Sequence, residues 1–109
     1  MGNKANSNHV IVEVTIVPLG TSSTSLSLYV AGVAKVLAKH KHIKTMLTPM
    51  STVLEGELDE ILVAIREMHE EPFLNGAKRV STRISIDDRR DKILTMEGKM
   101  KAVKEKIGS

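Results

Sequence analysis

The sequence predicts an α+β fold, a four-stranded antiparallel sheet with two helices on one face and a further helix at the C-terminus. Three observations carry that expectation. Residues 9–17 and 79–87 are rich in β-branched side chains and alternate with the period of a strand. Residues 26–40 and 59–74 instead repeat their apolar side chains every three to four positions, the period of a helix. Between them, two short extended segments meet at Pro49-Met50, as the arms of a hairpin do.

Taken in order, residues 1–8 are polar and patternless, expected as a disordered tail ahead of a single domain spanning 9–109. In His9–Val17, Val10, Val12, Val14 and Ile16 share one face, and Ile11, Glu13, Thr15 and Val17 share the other. Such a strand has a core face and a partly polar face; Pro18-Leu19-Gly20 stops it. Thr21 to Ser25 then offer N-cap hydroxyls. Leu26, Val30, Val33 and Leu37 mark a helix to about His40. Gly32 inside it costs about 1 kcal/mol relative to Ala, which implies a close packing contact there.

The basic run Lys39–Lys44 falls at the C-terminus of this helix, where cations complement the dipole. Lys44–Thr48 and Thr52–Gly56 read as antiparallel neighbours. Asp59 and Glu60 open a second helix whose apolar stripe is Ile61, Leu62, Ile65, Met68 and Phe73. Pro72 should kink or shorten its last turn, and Asn75-Gly76 should end it in a left-handed cap. In the last strand Val80, Thr82, Ile84 and Ile86 face one way, and Ser81, Arg83, Ser85 and Asp87 the other. A charged turn, Asp87–Asp91, leads to Ile93, Met96, Met100, Val103 and Ile107, a narrow apolar seam that packs on its own domain or on a neighbouring subunit. The order βαββαβ plus a helix is the ferredoxin-like, split-βαβ pattern with strand order 4-1-3-2. One sheet face is left to meet water, a ligand or another subunit.

Composition narrows the function. The chain of 109 residues has no cysteine, which removes disulfides, thiolate metal sites and a cysteine nucleophile. Its one Tyr and one Phe both fall on expected helices, so the open face lacks the stacking platform by which modules of this topology hold RNA. No nucleic-acid partner is expected. The apolar runs are far shorter than the roughly 20 residues of a membrane span, so no membrane partner and a cytoplasmic location are expected. The net charge of +3 is split between basic residues 39–44, an acidic middle from Glu55 to Glu71, and basic residues 99–106. His69-Glu70-Glu71 lacks the second histidine of a zinc-protease helix, and no nucleophile stands out beside a base. No metal, no cofactor and no catalysis are therefore expected.

The open face carries the most informative constellation. In the expected strand order Glu13 lies between Glu55 and Arg83, with Thr15, Val53 and Ser85 nearby. Two carboxylates against one guanidinium leave the face locally negative. Such a set either forms a cross-strand or inter-subunit charge network or orients a cationic, amine-rich small molecule.

Several stretches together resemble one family: Val12–Gly20 with Ser25, Leu47-Thr48-Pro49-Met50, Thr52–Gly56, Glu67-Met68-His69, Arg79-Val80, and Asp91-Lys92 with Thr95. In that order and spacing they are similar to the small thiamine-binding proteins, the YkoF-like family, over nearly all of residues 10–107. The resemblance implies a ferredoxin-like fold, assembly into a homodimer or homotetramer, and non-catalytic binding of thiamine or a related aminopyrimidine. Thiamine carries a fixed positive charge on its thiazolium ring and an aminopyrimidine with donors and acceptors. The expected ligand-binding residues are Glu55 first, then Glu13, with hydroxyls from Thr15, Thr48, Thr52 and Ser25 and an apolar wall from Met50. The alternative is a structural or regulatory oligomeric module that uses the open face for subunit contacts.

Overall fold

The computed structural model describes residues 9–20 and 26–108. The tail at 1–8, the cap segment 21–25 with Ser25, and the side chains of 26–30, including Leu26, Tyr29 and Val30, lie outside that description. The elements are β1 (His9–Pro18), α1 (Leu26–Lys39), β2 (Lys44–Leu47), β3 (Thr52–Glu57), α2 (Leu58–Leu74), β4 (Val80–Asp87) and α3 (Met96–Gly108). All strand pairings are antiparallel and the order across the sheet is β2-β3-β1-β4. This is the ferredoxin-like arrangement that the periodicities predict.

The alternation in β1 decides which face is covered. Val10, Val12, Val14 and Ile16 are buried with Leu54 of β3, beneath Val33 and Val36 of α1 and Ile61, Ala64, Ile65 and Met68 of α2. This core is wholly aliphatic and methionine-based, and each buried Val, Leu or Ile contributes on the order of 1.5–3 kcal/mol. Leu62 and Phe73 depart from the expected stripe: both are more than a third exposed, while Ala64 and Pro72 are buried in their place. On β4, Thr82 meets α2 through His69, Oγ1 to Nδ1 at 2.7 Å, while Ile84 and Ile86 are nearly half exposed.

Local chemistry fixes the ends of α2. The Glu57 side chain accepts the Glu60 amide at 3.3 Å as N-cap. At the other end the Ala77 amide reaches Pro72 O at 2.9 Å and the Gly76 amide reaches Phe73 O at 3.2 Å, with Gly76 at φ +100°. That is a Schellman closure, which needs the left-handed residue that Asn75-Gly76 predicts. Pro72 therefore sits inside the last turn without stopping the helix before Leu74. Two further contacts join α1 to α2. Gly32 lets the Glu71 side chain approach, since a Cβ there would lie 2.7 Å from Glu71 Oε1. His40 Nε2 lies 3.1 Å from Glu67 Oε1, with Lys39 Nζ 3.4 Å from the same oxygen. The basic run after α1 therefore serves an ion-pair cluster on α2 as well as the helix dipole.

Among the described residues, no helix is long and apolar enough to cross a membrane.

The two glycines separate backbone strain from packing. Gly76→Ala meets no atom within 4 Å but forces a side chain into positive φ, and should cost about 1–2 kcal/mol. Gly32→Ala meets only the far end of a flexible Glu71 side chain, and the helix-propensity gain should keep it within about 1 kcal/mol of wild type. Urea unfolding of both variants checks the contrast.

Candidate functional site

The face of the sheet turned away from α1 and α2 is read from the strand register. Ile11 pairs with Glu55 and Asp87, Glu13 with Val53 and Ser85, and Thr15 with Arg83. On β2, Lys44 pairs with Glu55 and Met46 with Val53. Two rows of side chains therefore cross this face, Lys44–Glu55–Ile11–Asp87 and Met46–Val53–Glu13–Ser85. They do not share the same fate.

The first row is covered by the chain itself. Glu55 is only 4% exposed, and both its oxygens are engaged: Oε1 accepts the Met96 amide at 2.9 Å and Oε2 lies 2.9 Å from His9 Nε2. An ionised carboxylate can only accept, so His9 carries its proton on Nε2. Met96 is the first residue of α3, whose opening amides have no partner within the helix. Thr95 completes the cap by accepting the Gly98 amide at 2.9 Å. On either side of this anchor, Glu97 meets Lys44 of β2 at 3.3 Å and Lys99 meets Asp87 of β4 at 2.6 Å. The first turn of α3 thus straddles the sheet across the row in which Ile11 is buried, while no residue of α3 itself is buried.

The charge on Glu55 follows from this geometry. Burial acts to raise its pKa, but the Met96 amide, the His9 hydrogen bond and the positive charges of His9 and Lys44 outweigh it and hold the carboxyl below its ordinary value. A negative charge at the start of α3 is also favoured by the helix dipole.

The second row remains open. Glu13 is exposed, and its Oε2 accepts the Ser51 hydroxyl at 2.7 Å. Ser51 is held by the β2–β3 hairpin, where Thr48 Oγ1 accepts the Met50 and Ser51 amides at 3.2 and 2.9 Å. Beside this row, Lys44, Thr45 and Met46 of β2 and Met96, Glu97 and Met100 of α3 line a cleft of about 330 Å³.

The expected site residues therefore separate. Glu13 and Thr15 lie together on the open face. Glu55 shares that face but is occupied by His9 and Met96. Thr48 holds the hairpin turn, and Met50, 83% exposed at its tip, walls nothing. Thr52 pairs with Val14 and Leu47 and so points to the helix-covered side. Ser25 lies outside the described residues. Sequence reasoning missed Ser51, His9 and the methionine cleft. Ser51 was legible as the hairpin residue across from Thr15, and His9 as the same-face neighbour of Ile11; the cleft needed the position of α3.

Glu55→Gln keeps the shape but loses a charge-assisted acceptor, and should destabilise the fold by about 1–2 kcal/mol near neutral pH. Because the folded-state pKa of Glu55 is lowered, its contribution is present above the ordinary carboxyl value of 4.5 and is lost as pH falls through the lower folded value. Glu67, whose pKa is lowered first by its hydrogen bond to His40, acts in the same sense. The gap between wild type and Glu55→Gln should therefore narrow in acid, as urea unfolding near neutral pH and near about pH 3 would measure.

Comparison with known proteins places this geometry in a family. Residues 12–104 match the family described as Thiamine-binding protein. The UPF0045 protein YqgV of Bacillus subtilis is 49% identical over 96 residues, covering 85% of this chain and 92% of the relative. The crystal structure of the hypothetical protein MJ1052 from Methanocaldococcus jannaschii is similar with a TM-score of 0.78 at 44% identity, covering 89% of this chain and 97% of that one. A Thermotoga maritima structure, named a candidate thiamine biosynthesis or salvage protein, shares the fold with a TM-score of 0.69 at 23% identity, covering 87% of this chain and 98% of that one. With a family match over most of its length and relatives above 40% identity, the chain belongs to the thiamine-binding protein family.

Proposed function

We propose that this protein binds thiamine, or its aminopyrimidine moiety, without turning it over, as an oligomer in the cytoplasm. The observation that carries the reading is Glu13, an exposed carboxylate whose Oε2 is fixed by Ser51 at 2.7 Å on the uncovered part of the sheet. A carboxylate held by a hydroxyl has one oxygen left to accept from the exocyclic amine or to pair with a ring nitrogen. Thr15 and Ser85 stand beside it as further polar partners. Glu55, first in the sequence-based ranking, is here the support of the site, because its acceptors hold α3 in place.

A flat heteroaromatic cation also needs an apolar surface. Met46, Val53 and Glu13 lie in one row across β2, β3 and β1, roughly 10 Å from end to end at the usual strand spacing. Met96 and Met100 of α3 face Met46 across the cleft. Thioethers are polarizable and adaptable and make favourable contacts with aromatic rings. They take the place of the aromatic clamp that a chain with one Tyr and one Phe lacks.

Calorimetric titration with thiamine should show saturable binding, weakened at least roughly tenfold by Glu13→Gln, the loss expected of one charge-assisted contact. Thiamine recovered by chromatography should be unchanged. Absence of heat at millimolar ligand overturns the binding reading and leaves the interaction module; a changed ligand overturns the non-catalytic one.

A further inference from the structure

With Glu55 closed off by His9 and Met96, the uncovered part of the sheet keeps Glu13 as its carboxylate and Arg83 as its guanidinium. Across β1 and β4, Glu13 pairs with Ser85 and Thr15 pairs with Arg83. These residues make a four-cornered patch on one face, with the two charges on one diagonal and the two hydroxyls on the other. Diagonal Cβ atoms in an antiparallel pair lie about 7–8 Å apart, within reach of long side chains. Opposite charges so placed ordinarily close on each other. Here they do not. Glu13 turns toward β3, where its Oε2 takes the Ser51 hydroxyl at 2.7 Å. Arg83, exposed on the other side of β1, stands within ion-pair distance of no carboxylate among the described residues. By contrast, Lys44 is matched by Glu97 at 3.3 Å and Lys99 by Asp87 at 2.6 Å.

This divided charge describes the ligand. The carboxylate suits the amine edge or a ring nitrogen of an aminopyrimidine. An unmatched guanidinium repels a fixed cation and calls for an anion whose oxygens fit its fork. Free thiamine offers a thiazolium cation and a neutral alcohol tail, so its binding sets a like charge beside Arg83 and leaves that residue unmatched. A phosphate monoester of the same alcohol adds about −1.5 to −2 charges near pH 7 and three acceptor oxygens. The strand order also sets a direction: Val53 and Met46 lie on the β3 and β2 side of Glu13, and Arg83 lies on the β4 side.

We propose that Arg83, with the hydroxyls of Thr15 and Ser85, forms an anion subsite that selects the phosphate ester of thiamine over free thiamine. The pyrimidine lies on Val53 and Met46 with its amine edge at Glu13, the thiazolium crosses β1, and the phosphate ends at β4. There the guanidinium takes two phosphate oxygens as a bidentate pair, and the hydroxyls beside it donate to the ester. The subsite rests on the proposed thiamine site at Glu13 and names the charge class of its ligand. Arg83 is its specificity-determining residue.

Calorimetric titration of the same protein with thiamine and with thiamine monophosphate tests the subsite. The wild type should bind the monophosphate at least roughly tenfold tighter, the gain expected of one charge-assisted contact. Arg83→Gln should bring the two ligands to within roughly threefold of each other, by weakening the ester while leaving thiamine no weaker. Arg83→Lys, which keeps the charge but loses the fork, should hold part of the preference. Because Arg83 is exposed, both variants should stay folded by circular dichroism. Equal affinities in the wild type, or a preference that survives Arg83→Gln, overturn the subsite and leave thiamine binding standing. A protein that takes up neither ligand overturns the binding reading and the subsite with it.

Discussion

A carboxylate that is almost fully buried on the solvent side of a sheet constrains everything around it. Glu55 cannot be left without partners, since an unpaired buried charge costs several kcal/mol. Its hydrogen-bond partners come from two distant parts of the chain: His9 at the start of β1 and the first amide of α3. The start of the C-terminal helix is therefore held on the sheet by a buried acceptor together with a cap residue and two exposed ion pairs. Since exposed pairs contribute little on their own, the carboxylate is the contact that decides where α3 begins.

That anchor divides the open face into two parts with different chemistry. Under the first turn of α3 the face is closed and its charges are matched. One row further along β1 it is open, with Glu13 steadied by Ser51 and with methionines on the β2 side. Small-molecule sites combine an apolar wall with a few fixed polar groups, and only the second part offers both. The apolar stripe of α3 remains outside: Met100, Val103 and Ile107 are about half exposed or more. With Ile84 and Ile86 on β4, the molecule presents two separate apolar surfaces of the kind that mark interaction sites.

Much of this was legible in the sequence because it is local. The alternation of Val10, Val12, Val14 and Ile16 specifies the core face of β1, and the pair Asn75-Gly76 specifies how α2 closes. Glu13 and Thr15 could be placed on the open face from period two alone. The same parity puts Thr52 on the opposite face from Glu55, and the structure bears that out where the expected ligand set had grouped them. What the sequence could not show is long-range. The contact from Glu55 to Met96 spans 41 residues, and nothing near Glu55 marks it as a cap for a distant helix. The exposure of Leu62 and Phe73 depends on how tertiary packing seats α2, which hydrophobic periodicity does not resolve to one side chain.

The central claim, that the Glu55 carboxylate holds the start of α3 on the sheet, is tested most directly at the Met96 amide. As the first residue of α3 it has no acceptor within the helix, so its protection from solvent reports on Glu55 alone. Hydrogen exchange read residue by residue should find this amide protected in the wild type and exchanging at least roughly tenfold faster in Glu55→Gln, with the β1 amides unchanged. Equal exchange at Met96 in the two proteins would contradict the account.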